Sequence, residues 1–171
     1  MPAGAGHAAA GQATATVGPA VAPMPAATAF AAGCPLCEGD GGRLLLRTAK
    51  WRLILVEDSG FPGYVRVIWN AHVREFSELP AADRVALMEV IATIERVALD
   101  VLVPAKINLA AFGTVVPHLH WHVIPRFADD THYPDAIWAP ARRTQAGECC
   151  TAAGSRVNYF TEKLVEALGL A

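Results

Sequence analysis

No stretch of this chain approaches the roughly eighteen consecutive apolar residues that a bilayer-spanning helix needs, so a membrane partner is not expected. Charge is scarce and balanced: 14 basic residues stand against 16 acidic ones, a net charge of −2. The basic residues are not clustered, which argues against nucleic acid as a bulk partner but leaves a single nucleotide open. Cysteine is scarce too. Four are present, Cys34 and Cys37 as CPLC and the adjacent Cys149 and Cys150. They are too few and too oddly spaced for a disulfide scaffold. The layout suits a reducing compartment in which CxxC binds metal or does redox work, so a cytoplasmic location is expected. Residues 1–33 have no Lys or Arg, and therefore neither the charged start of a secretory signal nor the arginines of a transit peptide.

What is there suffices for one core. Hydrophobic residues make up 53% of 171, a length that holds one domain of ordinary size. Residues 1–33 are almost all Ala, Gly, Pro, Thr and Val. Such a segment cannot offset the entropy of ordering, and Gly and Pro break any helix the alanines start. A disordered tail is expected over 1–33, with Met24 an alternative first residue, and a folded domain over 34–171.

Within the domain, Leu44–Leu46 and Trp51–Val56 are short apolar runs separated by RTAK, which reads as a β-hairpin. FPGYVRVIWN opens on a Pro-Gly turn. Its strand then alternates Tyr64, Arg66 and Ile68 against Val65, Val67 and Trp69. A long helix is expected from Pro80 to Leu102, with Pro80 at the first helical position, Asp83 in the first turn, and Pro104 beyond the end. Its apolar stripe reads Val85, Met88, Ile91, Ile94, Ala98, Val101. KINLAAFG and VVPHLHWHVIP read as two further strands. Val157, Phe160, Leu164, Val165 and Leu168 mark a closing helix. The sum is an α+β domain: an antiparallel sheet of about five strands, one main helix packed on it, and a C-terminal helix.

Residues 117–125, PHLHWHVIP, hold three of the six histidines at alternate positions. On a strand His118, His120 and His122 project from one face, and Leu119, Trp121 and Val123 point into the core from the other. Val116, before Pro117, is pushed toward extended geometry. Three imidazoles in a row build a poor core, because each buried ring needs polar partners and neighbouring rings oppose one another's protonation. A merely exposed face would more often carry Thr, Lys, Glu or Arg. Two functional readings remain. One is an open metal site using all three imidazoles. The other is covalent catalysis, with a neutral imidazole attacking phosphorus while its second nitrogen is held by an acceptor and its neighbours serve the phosphate oxygens. The middle residue is then the natural nucleophile.

PHLHWHVIPR resembles the His-φ-His-φ-His-φ-φ signature of the histidine triad (HIT) superfamily. The surroundings agree over about residues 34–127. CPLC stands near the domain start, GYVRVIWNAHVREFSELP is similar to a segment that often reads GHxLVIPKxHV, and KINLAAFGTVVPH is similar to the strand and loop leading into the triad. The resemblance implies a HIT-like fold and hydrolysis or transfer of a nucleoside monophosphate from dinucleoside polyphosphates, phosphoramidates and related conjugates. His120 would form a nucleotidyl-histidine intermediate, His122 would contact the phosphate or leaving group, and His118 would complete the triad. No external cofactor is implied for the chemistry. Many bacterial relatives hold a structural zinc, here matched to Cys34, Cys37, His72 and His118. Two thiolates and two imidazoles leave no open position on such an ion. Asn108 and Thr114 are implied as nucleotide contacts, and a homodimer as the assembly.

The chain also departs from the pattern. Gly113, Thr114, Val115 and Val116 replace the usual Gly-Gln-Ser/Thr-Val, and Trp69 and Asn70 replace Pro and Lys. Thr114 keeps one donor and Val115 has none, so the phosphate site is expected to be short of donors. A nucleotide-binding regulatory protein with little turnover is therefore the alternative function. Arg126 is expected to be solvated more than phosphate-bound. His132 lies in a loop that would cover the site. Trp138 is expected in packing or a dimer contact more than stacked on a base, and Cys149 and Cys150 are expected to be incidental.

Overall fold

The computed structural model describes residues 29–169. Most of the expected tail, residues 1–28, lies outside that range. The hairpin forms from β1 (Arg43–Arg47) and β2 (Trp51–Leu55), joined by a turn in which the Thr48 hydroxyl accepts from the backbone N–H of Trp51. β3 (Val65–Trp69), β4 (Lys106–Ala110) and β5 (His120–Arg126) complete a five-stranded sheet in the order β1-β2-β3-β5-β4, antiparallel throughout. Among the described residues four α-helices accompany it: α1 (Pro35–Glu38), α2 (Ala81–Leu102), α3 (Glu148–Gly154) and α4 (Val157–Gly169), with a short 3-10 turn at Phe76–Glu78. The expected α+β architecture is the one observed.

Residues paired across antiparallel strands share a face, so the register sorts the sheet into two unlike surfaces. Leu53, Val65, Val67, Val123 and Ile107 face α2 and α4 and build the main core with them. The other face carries Arg52, Tyr64, Arg66, Ile68, His120 and His122. It is covered by α1 at one end, where Cys34 and Leu36 pack on Ile54 and Ile68. At the other end Phe61, Tyr64 and Ile124 form a separate cluster with Ile137. The helical face holds the fold together, and the opposite face is free for chemistry.

Two apolar stripes shift from expectation. On α2 the buried residues are Leu87, Ile91, Ile94, Ala98 and Leu102, while Val85 is exposed. A helix turns about 100° per residue, so Val85 sits about 200° from Leu87, and Met88 and Val101 flank the true stripe instead of joining it. On α4 the buried set is Phe160, Thr161, Leu164 and Leu168, with Val165 on the rim. Pro80 caps α2 rather than starting it, and the helix ends at Leu102 with Val103 in the left-handed region. The packing is close where β3 begins: Gly63 has φ +75°, and a Cβ there would lie 2.3 Å from Leu102 Cδ1. Only glycine fits that turn. Helix α3 was not foreseen. Cys149 and Cys150 follow Glu148 in its first turn, and their N–H groups donate to the Asp129 carboxylate at 2.8 and 3.1 Å.

Candidate active site

Strand β5 begins at His120, not before it, so the three histidines do not line up as one row. His118 lies outside the strand and turns its ring toward the CPLC segment. Its Nε2–H donates to the Trp69 carbonyl at 2.7 Å, which leaves the Nδ1 lone pair facing Cys34 Sγ and Cys37 Sγ, both at 3.5 Å. His72 Nδ1 is 3.4 Å from Cys37 Sγ. All four ligand atoms lie within 4.8 Å of one another. With Zn–S near 2.3 Å and Zn–N near 2.1 Å, the S···N edge of a tetrahedral site is about 3.6 Å, so the spacing and the donor set fit zinc. Both His118 nitrogens are thereby engaged, and an open site built from His118, His120 and His122 is not what the fold assembles. Burial lowers the pKa of His118, and His72 adds to the shift against the Trp69 hydrogen bond. Burial also raises the Cys37 thiol.

The cluster is held to the sheet by Arg52, a buried guanidinium on β2. It donates to the carbonyls of Leu36, Gly39 and Asp40 at 2.6, 3.2 and 3.1 Å. Its fourth partner is the Asn70 side-chain oxygen at 3.3 Å, and Asn70 in turn donates to the Thr48 carbonyl. Asn70 is thus committed to anchoring CPLC.

His120 and His122 stay on the strand and share a face, with ring centroids 4.8 Å apart. His120 Nδ1–H donates to the His118 carbonyl at 2.6 Å, which fixes the tautomer and leaves the Nε2 lone pair free. Burial holds its pKa below the ordinary value, against the pull of that carbonyl, and Arg66 adds to the shift. An unprotonated Nε2 is what a nucleophile requires. His122 Nδ1 is hydrogen-bonded to the Tyr64 hydroxyl, while its buried Nε2 has no partner among the described residues. Burial, then His120 and Arg66, push its pKa down to about 4.

Two clefts meet at His120. One, about 370 Å³, is walled by Arg74, Phe76, Gly113, Thr114, His118 and His120. The other, about 410 Å³, is walled by Arg66, Phe112, Val115, His120, His122 and Trp138. Thr114 therefore reaches the site. Trp138 does as well: it stacks on Phe112 at 5.0 Å and meets His122 edge-on at 5.2 Å. His132 packs against Phe61 at 5.3 Å and lines neither cleft. Asn108 also lines neither. It sits on β4 opposite Ile124 and accepts a hydrogen bond from Arg126 at 2.7 Å.

Arg126 corrects its expectation. It is 1% exposed, not solvated, and donates from Nε and Nη2 to Asp130 at 2.8 and 3.0 Å. Asp130 also accepts from the backbone N–H groups of Phe127, His132 and Tyr133. Burial pushes this carboxyl up, but the Arg126 and backbone hydrogen bonds outweigh it and hold it below the usual range. The pair folds the segment after β5 back over the sheet. Cys150 is buried and its thiol is raised by burial to about 11, which makes it inert.

Tyr64 and Arg66 are the site residues that sequence reasoning missed. Alternation had put them on one face of their strand. What it lacked was the pairing of β3 with β5, which sets Arg66 opposite His122 and Ile68 opposite His120.

Comparison with known proteins agrees with this geometry. The HIT domain model matches residues 42–129, just over half of the 171 residues. Among curated proteins no sequence matches the chain. Similar solved structures include a histidine triad protein from Bradyrhizobium japonicum, 21% identical with TM-score 0.61, covering 75% of this chain and 91% of that one. A hypothetical histidine triad nucleotide-binding protein from Sulfolobus tokodaii is 23% identical with TM-score 0.51, covering 80% and 95%. A zinc-bound histidine triad family protein from Mycobacterium smegmatis is 21% identical with TM-score 0.51, covering 78% and 94%. The triad, the sheet that carries it and the matched segment agree: the chain belongs to the HIT domain family.

Proposed function

We propose that this protein hydrolyses or transfers the nucleoside monophosphate part of nucleotide conjugates, with His120 as the nucleophile. The observation that carries the reading is the His120 ring: Nδ1–H is held by the His118 carbonyl and Nε2 is free at the junction of two clefts. The Nε2 lone pair forms a bond to the α-phosphorus as the bond from phosphorus to the leaving oxygen or nitrogen breaks. A leaving amine takes up a proton from solvent, whereas a leaving phosphate needs none. Water or another acceptor then attacks phosphorus and gives its proton to solvent, the N–P bond breaks, and the lone pair returns to His120. His122 and Arg66 supply hydrogen bonds and positive charge to the phosphoryl oxygens, and Thr114 a further hydroxyl. The shortage of donors expected from Val115 and Asn70 is thus offset by Arg66 on β3. No external cofactor is required for these steps.

Cys34, Cys37, His72 and His118 would hold a structural zinc, as the zinc-bound relative from Mycobacterium smegmatis suggests. Its four-ligand set supplies rigidity to the segment before β1 and to the entry of β5, not a coordination position for substrate. Asn108, which accepts from Arg126, would steady the Arg126–Asp130 pair instead of touching the nucleotide. A homodimer would cover the β4 edge, where Leu109 is exposed. The four free thiols suit a reducing, cytoplasmic setting. Among the described residues no helix is long and apolar enough to cross a membrane.

The test is nucleoside monophosphate release from diadenosine polyphosphates, AMP-phosphoramidate and their guanosine equivalents, with and without a chelator. Chelator-resistant release by the native protein, absent from His120→Ala, is the expected result. Tight nucleotide binding by both proteins with no release from any substrate would move the reading to a regulatory binding protein.

A further inference from the structure

The buried hydroxyl of Tyr64 contacts one triad nitrogen, and its partners fix the direction of that hydrogen bond. Arg66 Nε–H donates to Tyr64 Oη at 3.2 Å, with the guanidinium carbon 5.5 Å from the phenol ring centre. A guanidinium can only donate. One lone pair of the phenol oxygen is therefore taken, and the hydroxyl proton needs an acceptor. His122 Nδ1 is its only hydrogen-bond partner of that kind among the described residues. Were the direction reversed, the phenol oxygen would accept twice and its buried proton would be left without a partner, an arrangement that buried polar groups avoid. Burial also raises the Tyr64 pKa, so the proton stays on the phenol.

We propose that Tyr64, oriented by Arg66, is a positioning residue that locks His122 as the neutral Nε2–H tautomer and so presents a single hydrogen-bond donor to the phosphoryl group beside His120. Three observations converge on it. Nε2 of His122 is buried and has no hydrogen-bond partner of good geometry among the described residues, with only the Phe112 backbone close enough to oppose the fall in its pKa, and a substrate oxygen would supply one. His122 and Arg66 are directly opposed in the sheet register, so donor and cation enter the same cleft side by side. The His120 ring, 4.8 Å away, presents a lone pair instead of a proton. Attack at phosphorus needs this asymmetry, one ring aiming a lone pair and its neighbour a proton. If both rings were the same tautomer, either the nucleophile would be blocked or the phosphoryl oxygen would lose its donor.

The structural part of this proposal stands apart from the proposed function, and only its kinetic part rests on it. Protein carrying ¹⁵N-labelled histidine would be examined at pH 7.5 by two-bond ¹H–¹⁵N correlation, which reports which ring nitrogen bears the proton. His122 is expected to read as protonated on Nε2 alone. Tyr64→Phe keeps the ring in the core but removes the hydroxyl, and a mixture of tautomers should appear; Arg66→Met should give a smaller change of the same kind. With a hydrolysable nucleotide, Tyr64→Phe is expected to lower kcat ten- to a hundredfold with KM changed less than threefold. Protonation of His122 on Nδ1 in the native protein, or a tautomer unmoved in Tyr64→Phe, would overturn the proposal. An Nε2–H tautomer lost in Tyr64→Phe, in a protein that hydrolyses no nucleotide, would support the positioning role and reject the hydrolase reading instead.

Discussion

The carbonyl of His118 accepts the Nδ1–H of His120 across 2.6 Å, so the first histidine of the triad orients the second with its backbone while its ring turns away to Cys34 and Cys37. One residue thereby joins a metal cluster to a nucleophile. The join predicts how the two depend on each other. Removal of zinc by a strong chelator is expected to lower the melting temperature by roughly 5–10 °C while the residual folded protein keeps most of its kcat. Cys37→Ser should reproduce the loss of stability and reduce bound zinc well below one per chain, measured by metal analysis and calorimetry. A fall in kcat to background on chelation, restored by zinc alone, would instead make the metal part of the chemistry.

The neutral state of His122 predicts a preference among leaving groups. With its pKa at about 4, His122 at neutral pH can donate a hydrogen bond but has no spare proton to give. A phosphate leaving group departs as a stable anion and needs none, whereas an amine does. Diadenosine polyphosphates should therefore exceed AMP-phosphoramidate in kcat/KM at pH 7.5 by about tenfold or more. The ratio should narrow toward pH 5.5, as solvent supplies the proton. A faster phosphoramidate at pH 7.5 would overturn the reading of His122 as a neutral donor with no proton to give.

The same histidine makes stability depend on pH. Its folded pKa is below the ordinary value of 6.5, so the unfolded chain binds more protons between about pH 6.5 and 4, and stability must fall as pH falls through that window. The full loss is about 3 kcal/mol for His122, and His118 and His120 are shifted in the same direction. Urea unfolding of the native protein and His122→Asn at pH 7.5, 6.0 and 5.0 tests this: the variant should gain on the native protein as pH is lowered. Asp130 acts below that window. Its folded pKa is depressed, so its contribution is intact above about pH 4 and is lost as pH falls through the folded value.

The buried Arg126–Asp130 pair predicts a strong coupling. Asp130→Asn leaves a guanidinium that is 1% exposed without its counter-charge, and should destabilise the fold by about 3–5 kcal/mol. Arg126→Met with Asp130→Asn together should cost less than Asp130→Asn with Arg126 left in place, because no uncompensated charge remains. Equilibrium denaturation of the two single variants and the double variant checks the cycle. Simple additivity would mean that the pair is not the clasp of the segment after β5.

Alternation and short-range chemistry settled a good deal at the level of sequence. The HxHxH spacing placed His120 and His122 on one strand face, and that is where they are. Cys34, Cys37, His72 and His118 converge as the family resemblance implied. These features are local or carried by a motif whose spacing the chemistry itself dictates. Only the tertiary structure decided the rest. His118 leaves the triad face because β5 starts two residues later, an outcome governed by where Trp69 and Leu119 pair, not by alternation. Arg126 is buried because Asp130, four residues on, curls back with three backbone N–H groups behind it. Tyr64 and Arg66 join the site because β3 lies beside β5, and a strand's own residues specify its faces but not its neighbour.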